Sequence, residues 1–168
     1  MSAAVSPRLV EVIDMFSARR THPSGQVDQL EICEVEPWGL MVVCLLPHDP
    51  HHDMEITWLL TDLGLRMTRL RPRDQHAPGG PSALTAVSIQ RDTRSWATTD
   101  LMLGLELPER GRPRVTRAAE FASAVAHGAI RQSEADYAFA TVHRTLDEIT
   151  RHRSINQWLA HRGIFEPW

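Results

Sequence analysis

The chain contains no lysine: all 18 of its basic residues are arginine. Schiff-base catalysis and a phosphate-loop lysine are therefore excluded, whereas bidentate recognition of carboxylate or phosphate by arginine stays open. Abundant alanine, arginine and proline fit the codon bias of a GC-rich genome. The charge balance is equally sparse, with 18 basic against 21 acidic residues and a net charge of −3. That offers no basic field for nucleic acid and no polybasic patch for a membrane surface. The longest apolar run, "GLMVVCLLP", is far too short to span a bilayer, and "MSAAVSPRLV" has neither the charged nor the apolar region of a signal peptide. A cytoplasmic protein is expected. Only two cysteines are present, Cys33 and Cys44, on neighbouring strand-like segments, and they read as reduced core thiols. The chain lacks a G-x-S-x-G elbow, a cysteine beside an obvious base, and a glycine-rich strand-to-helix phosphate loop.

What is present is the composition of an ordinary globular protein, 42% hydrophobic and 23% charged over 168 residues, which suits a single domain with its own core. "VDQLEICEV" alternates apolar and polar residues, and "GLMVVCLL" follows as a more buried run after the break at "EPWG". "EITWLLTDLGLRMTRLR" reads as two strands around a turn at "TDLG", with "ALTAVSIQ" and "LMLGLEL" as further strands and "HAPGGPS" as a loop. After "PERGRPRV" the period becomes helical. Thr116 is a candidate N-cap for "RAAEFASAVAHG", which Gly128 closes; "SEAD" opens a longer helix with a stripe at Phe139, Val142, Leu146 and Ile149; "SINQ" opens a third. Strands followed by helices argue for one α+β domain over 1–168, with strands to about residue 116 and helices over about 117–163.

Two stretches carry candidate chemistry. "PHDPHHDMEI" gathers His48, His51, His52, Asp49, Asp53 and Glu55, but two prolines make it a loop and its spacing matches no zinc motif, so a solvated polar loop is the favoured reading. "TTDLMLGLEL" is more informative. Period-two alternation puts Asp100, Met102, Gly104 and Glu106 on one face and four leucines on the other, so the first face looks onto a cavity or solvent. Trp96 stands just ahead of it, with core packing and ligand stacking equally open.

From Trp96 through "DLMLGLEL" and "RVTRAAEFASAVAHGAI" to "SEADYAFATVHRTLDEI", the chain resembles the domain-of-unknown-function 402 family, which includes nucleoside di- and triphosphatases. The "EPWGL", "WLLTDLGLR" and "WLAHRGI" pieces resemble its actinobacterial subgroup. The resemblance implies a compact antiparallel β-barrel with C-terminal helices packed on it. It also implies magnesium or manganese held by clustered aspartates, of which this chain keeps few. Asp100 matches the first acidic position and Glu120 the glutamate of the acidic box, while Gly104, Arg117 and Ala119 stand where further aspartates belong. Gly104 thus reads as a vacated ligand position.

Two-metal phosphoryl chemistry needs several hard oxygen ligands, and Asp100 with Glu120 and Glu106 makes a poor cage. No cofactor is expected; Asp100 and Glu120 are the fallback ligands for Mg²⁺ or Mn²⁺. Three readings stand side by side. The leading one is a repurposed, metal-independent enzyme acting on a small organic substrate by hydrolysis, isomerisation or cyclisation, with secondary metabolism as a natural setting. Its candidate catalytic groups are Asp100, Glu106 and Glu120, and its candidate substrate contacts Trp96, Met102, Gly104, Arg66, Arg91 and Arg117. The second is a residual metal-dependent nucleotide or phosphoester hydrolase. The third is a ligand-binding or partner protein without catalysis.

Overall fold

The computed structural model describes residues 9–166. Among them β1 (Val10–Asp14), β2 (Arg19–Thr21) and β3 (Val27–Gln29) come first, then β4 (Ile32–Glu36), β5 (Gly39–Leu45), β6 (His52–Leu60) and β7 (Leu65–Pro72). β8 (Ser82–Arg91), the long β9 (Ser95–Leu107) and the short β10 (Arg114–Thr116) complete the strands, and α1 (Ala118–Ala126), α2 (Gln132–Thr150) and α3 (Ile155–His161) follow. The strands form one sheet in the order β3-β2-β1-β9-β8-β7-β6-β5-β4, with β10 pairing the far half of β9. Every pairing is antiparallel.

The two edges do not zip together by strand pairing, so the barrel is open. It is nevertheless strongly curled, because Arg20 of β2 reaches across to Glu55 and Thr57 of β6. The short link from β3 to β4 also bonds to both sides, through Leu30 N–H to Ala18 O and Glu31 N–H to Val43 O. Irregular pairing assists the curl. From Thr85 to Val87 on β8 is two residues, while their partners Gly104 and Asp100 lie four apart on β9. The extra length is absorbed at Met102, whose backbone is left-handed with φ 69°. A second irregularity interrupts the β6–β7 pairing between His52 and Met54.

The period-two pattern sorts each strand into an outer and an inner face. Outward, Ile56, Trp58, Leu65, Met67, Leu84, Leu101, Leu103 and Leu105 meet Ala138, Val142, Ile149, Trp158 and Leu159 of the helices in the larger core. Inward, Ile13, Leu40, Val42, Cys44, Leu59 and Trp96 form a second, smaller core inside the curl. Neither cysteine is bonded to the other, and burial pushes both thiols above their ordinary range.

The strand-then-helix division, the "TDLG" turn and the third helix follow the sequence reading, with Ser154 Oγ accepting from Gln157 N–H at 3.1 Å as its cap. Other boundaries shift. "VDQLEICEV" divides into β3 and β4, and β1, β2 and β10 carry too little pattern to be read alone. Thr116 belongs to β10, and the residue preceding α1 is Arg117 in a left-handed conformation. α2 begins at Gln132, with Glu134 accepting from Arg131 N–H, and Phe139 points outward at 64% exposure while Ala138, Thr141 and Thr145 take the buried stripe. No helix among the described residues is long and apolar enough to cross a membrane.

Candidate functional site

Following the inner face along each strand leads from apolar to charged residues. On β6 it runs Leu59, Thr57, Glu55; on β1, Ile13 then Glu11; on β9, Trp96, Thr98, Asp100; β7 adds Arg66 and Thr68. At the charged end these side chains, with Leu9, Arg20, His22 and Pro23, line a cavity of about 270 Å³. Alternation on five strands thus builds one polar chamber over an apolar plug.

Arg20 is the structural centre of this chamber, 4% exposed, with Nη1 donating to Glu55 Oε1 at 2.6 Å and Nη2 to Asp28 Oδ2 at 3.1 Å. Burial, the largest single influence, lowers its pKa, but the charges and hydrogen bonds of Glu55, Glu11 and Asp28 outweigh it and hold the guanidinium above its usual range. His22 Nε2 lies 2.6 Å from Asp28 Oδ2, and its Nδ1 lies 3.6 Å from Glu11 Oε2. Asp28 is shifted below the usual carboxylate range: burial raises it, and hydrogen bonds from His22, Arg20 and Gln26 lower it further.

Asp100 is 11% exposed and fully committed. Its Oδ1 accepts Met102 N–H at 2.6 Å, and its Oδ2 accepts Arg117 Nη1 at 2.9 Å with Arg66 Nη2 at 3.7 Å. Arg117 reaches it because its left-handed backbone, φ 59°, turns the chain from β10 into α1 at that point. The same guanidinium holds Glu120, its Nε lying 2.8 Å from Oε2. Burial lowers the Arg117 pKa, but the bonds to Glu120 and Asp100 raise it above its usual range.

Of the residues singled out from sequence, the chamber brings together Asp100, Arg66 and, from the histidine-rich stretch, Glu55 on β6, with Arg117 bound to Asp100 from the rim. The others lie elsewhere. Glu106 pairs with Arg114 across β9–β10, and Glu120 is 63% exposed outside the cavity. Trp96 is corrected from a cavity wall to the buried inner core, with the exposed Arg91 guanidinium 4.9 Å over its ring. Met102 occupies the irregular turn of β9 and is not among the cavity-lining residues.

Gly104 is the plainest correction. A Cβ there would lie 2.3 Å from Leu84 O and 3.0 Å from Thr116 Oγ1, so the missing side chain permits β8, β9 and β10 to approach closely. It leaves no vacancy, and an aspartate would not fit. In the histidine loop, Asp49 Oδ1 accepts the N–H groups of His51 and His52, each at 2.8 Å, and these bonds lower the Asp49 pKa. No cluster of three or more potential metal ligands occurs among the described residues. Glu11, Arg20, His22 and Thr57 are the chamber residues that sequence reasoning did not weigh as candidates; the "VEVID" alternation around Glu11 was the available signal.

Aligned over 96% of its length, the chain matches 98% of a crystallographically solved DUF402 protein of unknown function from Rhodococcus sp. RHA1, with TM-score 0.86 and 27% identity. The chain has the fold of the DUF402/FomD-like proteins. FomD itself, solved in complex with CDP, shares the fold across 99% of this chain and 95% of its own, with TM-score 0.66 and 15% identity. No family model and no curated protein matches the sequence.

The divalent cation that this family resemblance implies does not fit the donors present. Asp100 and Glu120 face each other only through the Arg117 guanidinium, which holds one oxygen of each. A cation there would displace a fixed positive charge or sit against it.

Proposed function

We propose that the protein is an enzyme that acts on a small polar organic substrate by orientation and proton transfer, without a divalent cation. The observation that carries this reading is Arg117, whose guanidinium bridges Asp100 and Glu120 at 2.9 and 2.8 Å and supplies the positive charge itself. In this scheme Asp100 is a positioning group, since both its oxygens are occupied, and it fixes Arg117 and orients Arg66. His22 is the proton-transfer group. It lines the cavity, stays partly exposed, and is held on one nitrogen by Asp28 at 2.6 Å, the support that defines which nitrogen exchanges a proton. Glu106 and Glu120, outside the cavity, take no part in the proton transfer.

The FomD-like fold is of the phosphohydrolase type, and one observation favours a second reading: three guanidinium groups, Arg20, Arg66 and Arg117, lie in or on the chamber, and FomD is solved with CDP. That reading keeps a residual nucleotide or phosphoester hydrolase alive.

Metal dependence separates the two. The purified protein is expected to carry no stoichiometric metal, and its thermal midpoint is expected to be unchanged by EDTA or by millimolar Mn²⁺. A midpoint that falls with chelator and returns with Mn²⁺, together with hydrolysis of CDP, overturns the metal-free proposal.

A further inference from the structure

The chamber's hydrogen bonds leave Arg66 without a close partner and, among the partly exposed carboxylates, Glu55 with an uncommitted oxygen. The buried Glu11, whose Oε1 has no partner among the described residues, faces Arg66 only at 3.7 Å. Arg20 and Arg117 are both engaged by carboxylates at hydrogen-bonding distance. Arg66, 22% exposed, has only two loose ionic contacts at 3.7 Å, to Glu11 and to Asp100, and no hydrogen bond to any described residue. On the opposite wall Glu55 spends Oε1 on Arg20 and Thr57, while Oε2 has no hydrogen bond among the described residues. Both side chains line the same cavity and both remain partly exposed.

Their separation follows from register. Arg66 pairs with Leu59, four residues along β6 from Glu55, which places the two attachment points about 13 Å apart along the strand. Between them Thr57 pairs with Thr68, and both threonines line the cavity, forming a polar floor. The lining as a whole holds three carboxylates, Glu11, Glu55 and Asp100, against two guanidinium groups, Arg20 and Arg66. Such a wall set repels a multiply charged anion and accepts a ligand that brings one charge of each sign. A cavity of about 270 Å³ corresponds to roughly nine water volumes, enough for a small molecule.

We infer that the chamber binds a small zwitterion with its charges several bonds apart, the carboxylate on Arg66, the ammonium on Glu55, and the chain between them over Thr57 and Thr68. An amino acid of the ω-amino type has this chemistry. The inference rests on the reading of the chamber as a substrate site and names the class of substrate.

The test is calorimetric titration of the full chain with β-alanine, 4-aminobutyrate and 5-aminovalerate, each against its matched carboxylate and its matched amine, and with CDP plus Mn²⁺. At least one zwitterion is expected to bind roughly tenfold tighter than both of its single-charge analogues. Arg66→Met is expected to erase its preference over the amine, and Glu55→Gln its preference over the carboxylate. The wild-type series carries the test even if Glu55→Gln, which also loses a charge facing Arg20, fails to fold. Equal or better binding of the single-charge analogues, or no zwitterion binding at all, overturns the inference. If a zwitterion binds but Mn²⁺ proves essential to the fold, the metal-free reading falls and the substrate class stands. If CDP with Mn²⁺ alone binds, both fall.

Discussion

The two ends of the barrel interior are built on the same strands yet are held together differently. At one end Ile13, Leu40, Leu59 and Trp96 fill the space with side chains and leave nothing to bind. At the other, Glu11, Arg20, Thr57, Asp100 and their neighbours are held by ion pairs around an open chamber. Moving two residues along each strand converts packing into recognition, as from Ile13 to Glu11 and from Thr98 to Asp100. The charged end itself divides again. Arg20 is a strut with several bonds, whereas Arg66 is a cation held loosely in place.

This contrast predicts a graded set of outcomes. Trp96→Ala, at the plug, is expected to cost about 3–5 kcal/mol in urea unfolding, as for other fully buried aromatics. Arg20→Met is expected to come close behind, about 3–5 kcal/mol at most, because it strands Glu55 and Asp28 without their partner. Arg66→Met is expected to change stability by no more than about 1 kcal/mol, since its contacts are long and partly solvated. Equal losses at Arg20 and Arg66 would dissolve the distinction between strut and spare cation. Gly104→Ala tests the corrected role of that glycine: a cost of about 1–3 kcal/mol is expected from the clash with Leu84 O, and a neutral result would restore an open space there.

The smallest effect is the dependence on acid. Asp28 has its pKa lowered below 3.8 in the folded chain. Its contribution is therefore complete above that value and is lost as pH falls through the depressed folded pKa. Thermal midpoints measured downward from pH 5 are expected to decline more steeply in the wild type than in Asp28→Asn, and parallel curves would remove Asp28 from the set of stabilising carboxylates.

How much of this was legible in the sequence depends on the range of the information. Local signals were sound where local physics decides: the glycine at 64 closes the turn at φ 66°, Ser154 caps α3, and Gly128 follows α1 at φ 74°. The helical stripe was partly misplaced because small residues, Ala138, Thr141 and Thr145, permit the close approach of α2 to the sheet, where the eye follows Phe139. The site was legible only at Asp100, Arg66, Arg117 and Glu55. Strict alternation was carried through Met102 without the irregular turn there, which put Gly104 and Glu106 on a cavity they do not face. Arg20 and Glu55 meet 35 residues apart, and Glu11 joins them through β1 pairing with β9; no period within a single segment encodes such a meeting.

The central claim is that Arg117 takes the place of a cation between β9 and α1. Manganese binding followed by electron paramagnetic resonance tests it most directly, on the wild type and on Arg117→Asp, a substitution that the left-handed backbone tolerates and that sets a third carboxylate beside Asp100 and Glu120. The account predicts that Mn²⁺ stays free in the presence of the wild type and that the variant binds one ion at least roughly tenfold more tightly. Saturable binding of Mn²⁺ by the wild type, with Arg117 in place, would contradict it.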